Sequence, residues 1–203
     1  MKLYDSMGPN PHVVRMFIAE KGIEIPAEEV DLMGGANRQS DYLAKNPAGG
    51  LPCLELDDGS FLSEITAICE YLEDIRPEPA LIGTTPEERA ETRMWTRRID
   101  LGICENMANG FRFSEGLELF KDRMHCLPEA ADGLKAITRE KLAWLDGLVE
   151  GRTWICGDRF TLADIMVYCF VTFGESVGQP LPEECGNVRA LMERIGMRDS
   201  ASA

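Results

Sequence analysis

Few residues in this sequence have both the type and the spacing that chemistry demands, and those present exclude several chemistries at once. Seven cysteines, at positions 53, 69, 104, 126, 156, 169 and 185, form no C-x-x-C pair. Their odd number, with Cys69 and Cys169 inside apolar periodic runs, describes reduced and mostly packed thiols, not a disulfide framework. His12 and His125 are the only histidines, so the clustered donors of a metal site are missing and no metal is expected. A small anionic ligand is still compatible with the sequence where a local basic pocket or a helix end receives it. Asn10-Pro11 carries the residues that start helices, Asn at the N-cap and Pro at the first helical position. The unpaired N–H groups of such a start favour negative charge. Ser6, just upstream, offers a hydroxyl, although a serine there is more often an ordinary loop residue.

The elements that must position these groups come in two rhythms. Over residues 1–76 strand and helix signals alternate. Residues 2–5 read as a strand, 10–22 as a helix with Val14, Phe17 and Ile18 on its apolar face, 28–32 as a second strand and 39–45 as a short helix. Residues 53–56 and 61–62, joined through Asp57-Asp58-Gly59, spell a hairpin with a favoured turn. Ile65, Ile68, Cys69, Leu72 and Ile75 then follow the spacing of an amphipathic helix. The order β-α-β-α-β-β-α predicts a small mixed sheet covered by helices. Arg76-Pro77-Glu78-Pro79 stops the last helix, and residues 77–86 read as a linker.

Residues 87–203 form a second, all-helical domain. A long segment runs from Pro86 towards Phe113, and another spans residues 117–149 with a break at Pro128. The capping box Thr161-Leu162-Ala163-Asp164 opens a further helix, and residues 182–194 make a shorter last one.

Composition narrows the partners. With 44% hydrophobic and 28% charged residues the chain is an ordinary globular protein. Acidic residues outnumber Lys and Arg 35 to 21, a net charge of −14, which disfavours nucleic acid and anionic membrane surfaces. No apolar run approaches the roughly 20 residues of a membrane span. The first residues lack the features of a signal peptide, so a cytoplasmic protein is expected.

Five stretches carry a more specific reading. They are Leu3-Tyr4-Asp5-Ser6, Pro9-Asn10-Pro11-His12-Val13-Val14-Arg15, Asn46-Pro47-Ala48-Gly49-Gly50-Leu51-Pro52-Cys53-Leu54, Leu62-Ser63-Glu64-Ile65-Thr66-Ala67-Ile68-Cys69-Glu70-Tyr71-Leu72, and Gly157-Asp158-Arg159-Phe160-Thr161-Leu162-Ala163-Asp164-Ile165. In this order, and over essentially the whole chain, they resemble the cytosolic glutathione transferase superfamily. The Pro-Asn-Pro start and Met94-Trp95-Thr96-Arg97-Arg98 resemble bacterial and fungal members that lack an activating Tyr, Ser or Cys, and Asn10 is similar to the nu class.

The resemblance implies a thioredoxin-like α/β N-terminal domain, an all-α C-terminal domain and a homodimer. It also implies a detoxifying activity that conjugates the thiol of glutathione, the co-substrate, to small hydrophobic electrophiles. Asn10 and Ser6 are the implied thiol contacts, with capping by the Asn10 side-chain oxygen compatible with a contact from its NH₂. Leu51-Pro52 is implied to hold a cis bond, with Leu51 pairing its backbone to the cysteinyl part of glutathione. Glu64, Ile65 and Thr66 stand where the family grips the γ-glutamyl carboxylate with Glu or Gln followed by Ser. Here Ile65 replaces that Ser and removes one hydroxyl donor, and Ser63 with Glu64 equally suits a plain helix cap. Two alternatives therefore accompany conjugation: a glutathione-dependent disulfide or peroxide reductase, and a non-catalytic binding protein of the same fold that has lost glutathione.

Overall fold

Strand β1 (Lys2–Asp5) alternates, so Leu3 and Tyr4 face opposite sides of the sheet. A computed structural model describes all residues, Met1–Ala203. With β2 (Ala27–Glu29), β3 (Cys53–Glu55) and β4 (Phe61–Ser63), β1 forms a sheet of order β2-β1-β3-β4. β2 runs parallel to β1; β3 is antiparallel to both β1 and β4. The register Tyr4↔Cys53 gives one face a buried cluster of Tyr4, Val30, Cys53 and Tyr42, the last from α2 (Ser40–Leu43). Leu3 and Leu54, also paired, face the other way. That side is left to α1 (Pro9–Lys21) and α3 (Ile65–Ile75), which bury Val13, Phe17, Ile68 and Leu72. The thioredoxin-like layering is as expected.

Two elements are shorter than the sequence predicts. β2 ends at Glu29, because Asp31 folds the chain into a turn, its carboxylate accepting the Gly34 N–H at 2.7 Å and its carbonyl the Ala36 N–H at 2.9 Å. α2 ends at Leu43, because the Lys45 and Asn46 amides both turn back to the Tyr42 carbonyl ahead of Pro47.

The far ends of α1 and α3 are tied by a buried ion pair. Lys21 and Glu73 side chains are 0% and 2% exposed and in direct contact. The ammonium also donates to the carbonyls of Arg76 at 2.8 Å and Pro79 at 2.6 Å, with Pro77 at 3.2 Å, while Glu73 accepts the Leu81 N–H at 3.1 Å. The ammonium and Oε2 of Glu73 are thus both partnered, as a buried charge requires.

The chain divides into two compact units, Met1–Leu81 with Ser202–Ala203, and Ile82–Ala201. The second is helical. α4 (Pro86–Ile99) starts on a capping box of Thr85 and Glu88 and continues through a π-helical turn, Asp100–Cys104, into α5 (Glu105–Arg112). The segment after it is broken into α6 (Leu117–Phe120) and α7 (Ala131–Val149). α8 (Leu162–Ser176) and α9 (Gly186–Gly196) complete the unit. α9 begins later than predicted because Asp146 of α7 accepts the Val188 N–H at 2.8 Å and fixes the start there.

The box opening α8 forms as read. Asp164 accepts the N–H groups of Ile155 and Thr161, both at 2.9 Å, and the Thr161 hydroxyl at 3.2 Å. Those three donors favour the anion, but burial outweighs them and pushes the carboxyl up to about 6. The folded protein therefore keeps this proton between about pH 4 and 6, where the unfolded chain has released it. Stability from this group falls as pH rises through that window, by about 3 kcal/mol. Asp164→Asn cannot titrate, so its stability deficit relative to wild type should be larger at pH 4.5 than at pH 7 in denaturant titrations. A deficit that grows towards pH 7 contradicts this balance.

Candidate active site

The sheet register gathers the start of the hairpin and two helix starts at one end. β1 leaves the sheet at Asp5, β3 enters beside it through Leu51-Pro52, and β4 leaves at Ser63, the partner of Cys53. The amino ends of α1 and α3 and the cis Leu51-Pro52 bond therefore face the same region, beyond the carboxyl ends of β1 and β4.

At α1 the structure corrects the predicted start. Gly8 is the N-cap, at φ 112° and ψ 170°, and its carbonyl accepts the His12 N–H at 3.2 Å. Pro9, Asn10 and Pro11 are the first three helical residues, so Asn10 does not cap the helix and its carboxamide makes no capping bond. Pro9 fits the first position as well as Pro11 does, which is why the sequence misplaced the start by two residues. The consequence is chemical. Proline has no N–H, so of the first three amides only that of Asn10 exists, and it has no partner inside the helix. Asn10 is half-buried, with a backbone and a side-chain donor at one helix end.

Ser6 has no such freedom. It is buried, and its hydroxyl donates to the Val30 carbonyl at 2.9 Å. A hydroxyl has one proton, and here the turn uses it. Tyr4 is likewise engaged, donating to Glu55 at 2.8 Å from the opposite sheet face. The protein's own thiols are poor nucleophiles: six of the seven are buried, and burial pushes Cys53 up to about 11.

Leu51 is held by the loop before it. The Asn46 side chain and Tyr42 hydroxyl both donate to the Gly50 carbonyl, at 2.9 and 2.6 Å, and Asn37 donates to that of Gly49 at 2.7 Å. Gly49 sits at φ 63°, where a Cβ would lie 2.8 Å from the Arg38 guanidinium. Arg38 donates to Ala48 at 3.2 Å and keeps a buried Nε without a partner. The sequence reading missed Asn37 and Arg38, which lie in a short 3₁₀ turn with no periodic signal.

At α3, Glu64 is the N-cap at φ 73° and ψ 124°, the sole non-glycine residue with positive φ. Such a conformation costs of order 1–3 kcal/mol and collects at functional sites. No side chain caps the helix, so the amides of Ile65 and Thr66 remain available to an anion. Glu64→Gly should relieve the strain, raising unfolding free energy by about 1 kcal/mol in denaturant titrations. Loss of stability contradicts the strain.

In the helical unit, Arg97 pairs with Asp100 at 3.5 Å on an exposed surface, and Phe111 packs edge-on against Phe173 at 5.3 Å between ring centres.

Known proteins match the chain in sequence and fold. Residues 7–75 match the glutathione S-transferase N-terminal domain and residues 125–199 the glutathione S-transferase C-terminal domain. Glutathione S-transferase 2 of Saccharomyces cerevisiae is 32% identical over 208 residues, covering 98% of this chain and 87% of the relative. The chain belongs to the glutathione S-transferase family. A maleylacetoacetate isomerase of Pseudomonas aeruginosa is also 32% identical, over 81% of this chain and 77% of its own. Among solved structures, a glutathione S-transferase domain-containing protein from Marinobacter aquaeolei matches with TM-score 0.93 and 34% identity, covering 99% of this chain and all of the other. Gtt2 from Saccharomyces cerevisiae matches with the same score at 31% identity, covering 100% and 99%. No helix of the chain is long and apolar enough to cross a membrane.

Proposed function

We propose that the chain binds glutathione at the shared sheet end, ionises its thiol at the amino end of α1 and adds the thiolate to small hydrophobic electrophiles. A free thiol of pKa about 8.5 is only about 3% thiolate at pH 7. Lowering that pKa by about two units requires about 2.7 kcal/mol of preferential binding to the anion. The observation that carries the reading is Asn10, whose backbone N–H and carboxamide are uncommitted where a sulfur anion would rest. Leu51 offers a backbone edge next to the cis bond for the cysteinyl residue. The strained Glu64 turn, with the Ile65 and Thr66 amides, receives the γ-glutamyl carboxylate. The nucleophile then belongs to the bound peptide, in keeping with the buried thiols of the protein.

Family membership and the exposed apolar side chains of Met94, Leu101 and Trp144 support a homodimer as the working form. Calorimetric titration with glutathione, together with conjugation of a chloronitrobenzene, tests the whole reading. Binding with conjugation is expected; neither heat nor product contradicts it. Binding with turnover of a mixed disulfide in place of conjugation would point to the reductase.

Ile65 favours a second reading, a family member that no longer holds glutathione. If it is right, wild type shows no binding and Ile65→Ser restores it.

A further inference from the structure

We infer that Arg15 is a positioning residue for this site, holding the turn from Asp5 to Asn10 in the shape that aims the Asn10 donors. Its catalytic consequence rests on the glutathione reading above.

With prolines on both sides, Asn10 alone among the first three helical residues has an amide to offer, so small changes in its direction have no helical neighbour to compensate them. Yet the loop that delivers it has little packing of its own. Met7 is 59% exposed, and a Cβ at Gly8 would meet nothing within 4 Å. Two side chains hold the loop. Ser6 anchors it to the end of β2 through the Val30 carbonyl. Arg15 reaches back from the body of α1. Its Nη1 donates to both carboxylate oxygens of Asp5, at 2.9 and 3.1 Å, and to the Ser6 carbonyl at 3.1 Å, while Nε donates to the Ala203 carbonyl at 3.2 Å.

The guanidinium thus closes a loop between the last residue of β1 and the second turn of α1, with Asn10 inside it. The pair is partly shielded, at 30% exposure for Arg15 and 16% for Asp5, so solvent screens it less than a surface pair. Lysine keeps the charge but not the planar fork that serves the carboxylate, the Ser6 carbonyl and the Ala203 carbonyl together.

The test uses Arg15→Lys and, from the partner side, Asp5→Asn, so that neither depends on one variant folding well. Two readouts are taken on the full chain: the pH titration of the bound glutathione thiolate absorbance, and amide exchange of residues 6–12 in the free protein. Both variants should raise the bound-thiol pKa by about one unit, a loss of about tenfold in kcat/KM near pH 6. KM for glutathione should change less than about twofold, and exchange at residues 6–12 should quicken about tenfold. An unchanged thiol pKa and unchanged exchange, with only a lower melting temperature, overturn the inference and leave an ordinary ion pair. If wild type itself never ionises the thiol while exchange quickens in the variants, the glutathione reading fails and with it the catalytic role, although the pinned turn stands.

Discussion

Asn10→Ala is expected to cut kcat/KM for conjugation by about 10- to 100-fold at pH 6, with the deficit closing towards pH 9. A hydrogen bond to a charged group contributes roughly 1.5–3 kcal/mol, which corresponds to about one to two pK units on the bound thiol. Below the wild-type pKa the rate follows the thiolate fraction, so each unit costs about tenfold. Above the free-thiol pKa the sulfur is ionised in both proteins and the advantage disappears. The effect should fall on the pH profile far more than on glutathione affinity, because the tripeptide's other contacts are untouched. Asn10→Asp should be worse than alanine, since it sets a second negative charge against the sulfur. Steady-state profiles from pH 5.5 to 9 check this. A pH-independent loss would mean that Asn10 acts through folding or substrate position.

Lys21→Met should lower stability by about 3–5 kcal/mol, roughly 6–20 °C in melting temperature for a chain of this size. The substitution leaves the Glu73 carboxylate buried beside three carbonyls that have lost their donor. Replacing both partners, as in Lys21→Met with Glu73→Met, removes the stranded charge and should recover part of the loss, though the carbonyls stay unsatisfied. Scanning calorimetry is the right probe, because Trp95, Trp144 and Trp154 all lie in the helical unit and fluorescence would report that unit alone. Single and double variants of equal stability to wild type would show that the pair contributes nothing net.

Much of the architecture was legible in the sequence because periodicity and punctuation agree there. The helix with Ile68, Cys69 and Leu72 on its buried face, the Asp57-Asp58-Gly59 turn and the Thr161–Asp164 box formed where read, although Ile75 at the end of the stripe is exposed. Local competition spoiled the edges. Asp31 curled a strand into a turn, and Asp146 set the start of α9 from a helix forty residues away. The candidate site was legible in part. Leu51-Pro52 takes the cis form that the resemblance implied, and Glu64 occupies a backbone state that no propensity scale announces.

At α1 two prolines compete for one position, and only the structure shows that Pro9 wins and Asn10 lies inside the first turn. Ser6, Asn37, Arg38 and Arg15 owe their contacts to partners nine or more residues away, which no short-range pattern records.

The most direct measurement is the ultraviolet titration of glutathione bound to the wild-type protein. A thiolate band rising with an apparent pKa near 6.5, about two units below the free peptide, is the predicted result. A band that rises only where free glutathione ionises would show that the amino end of α1 does not stabilise the anion.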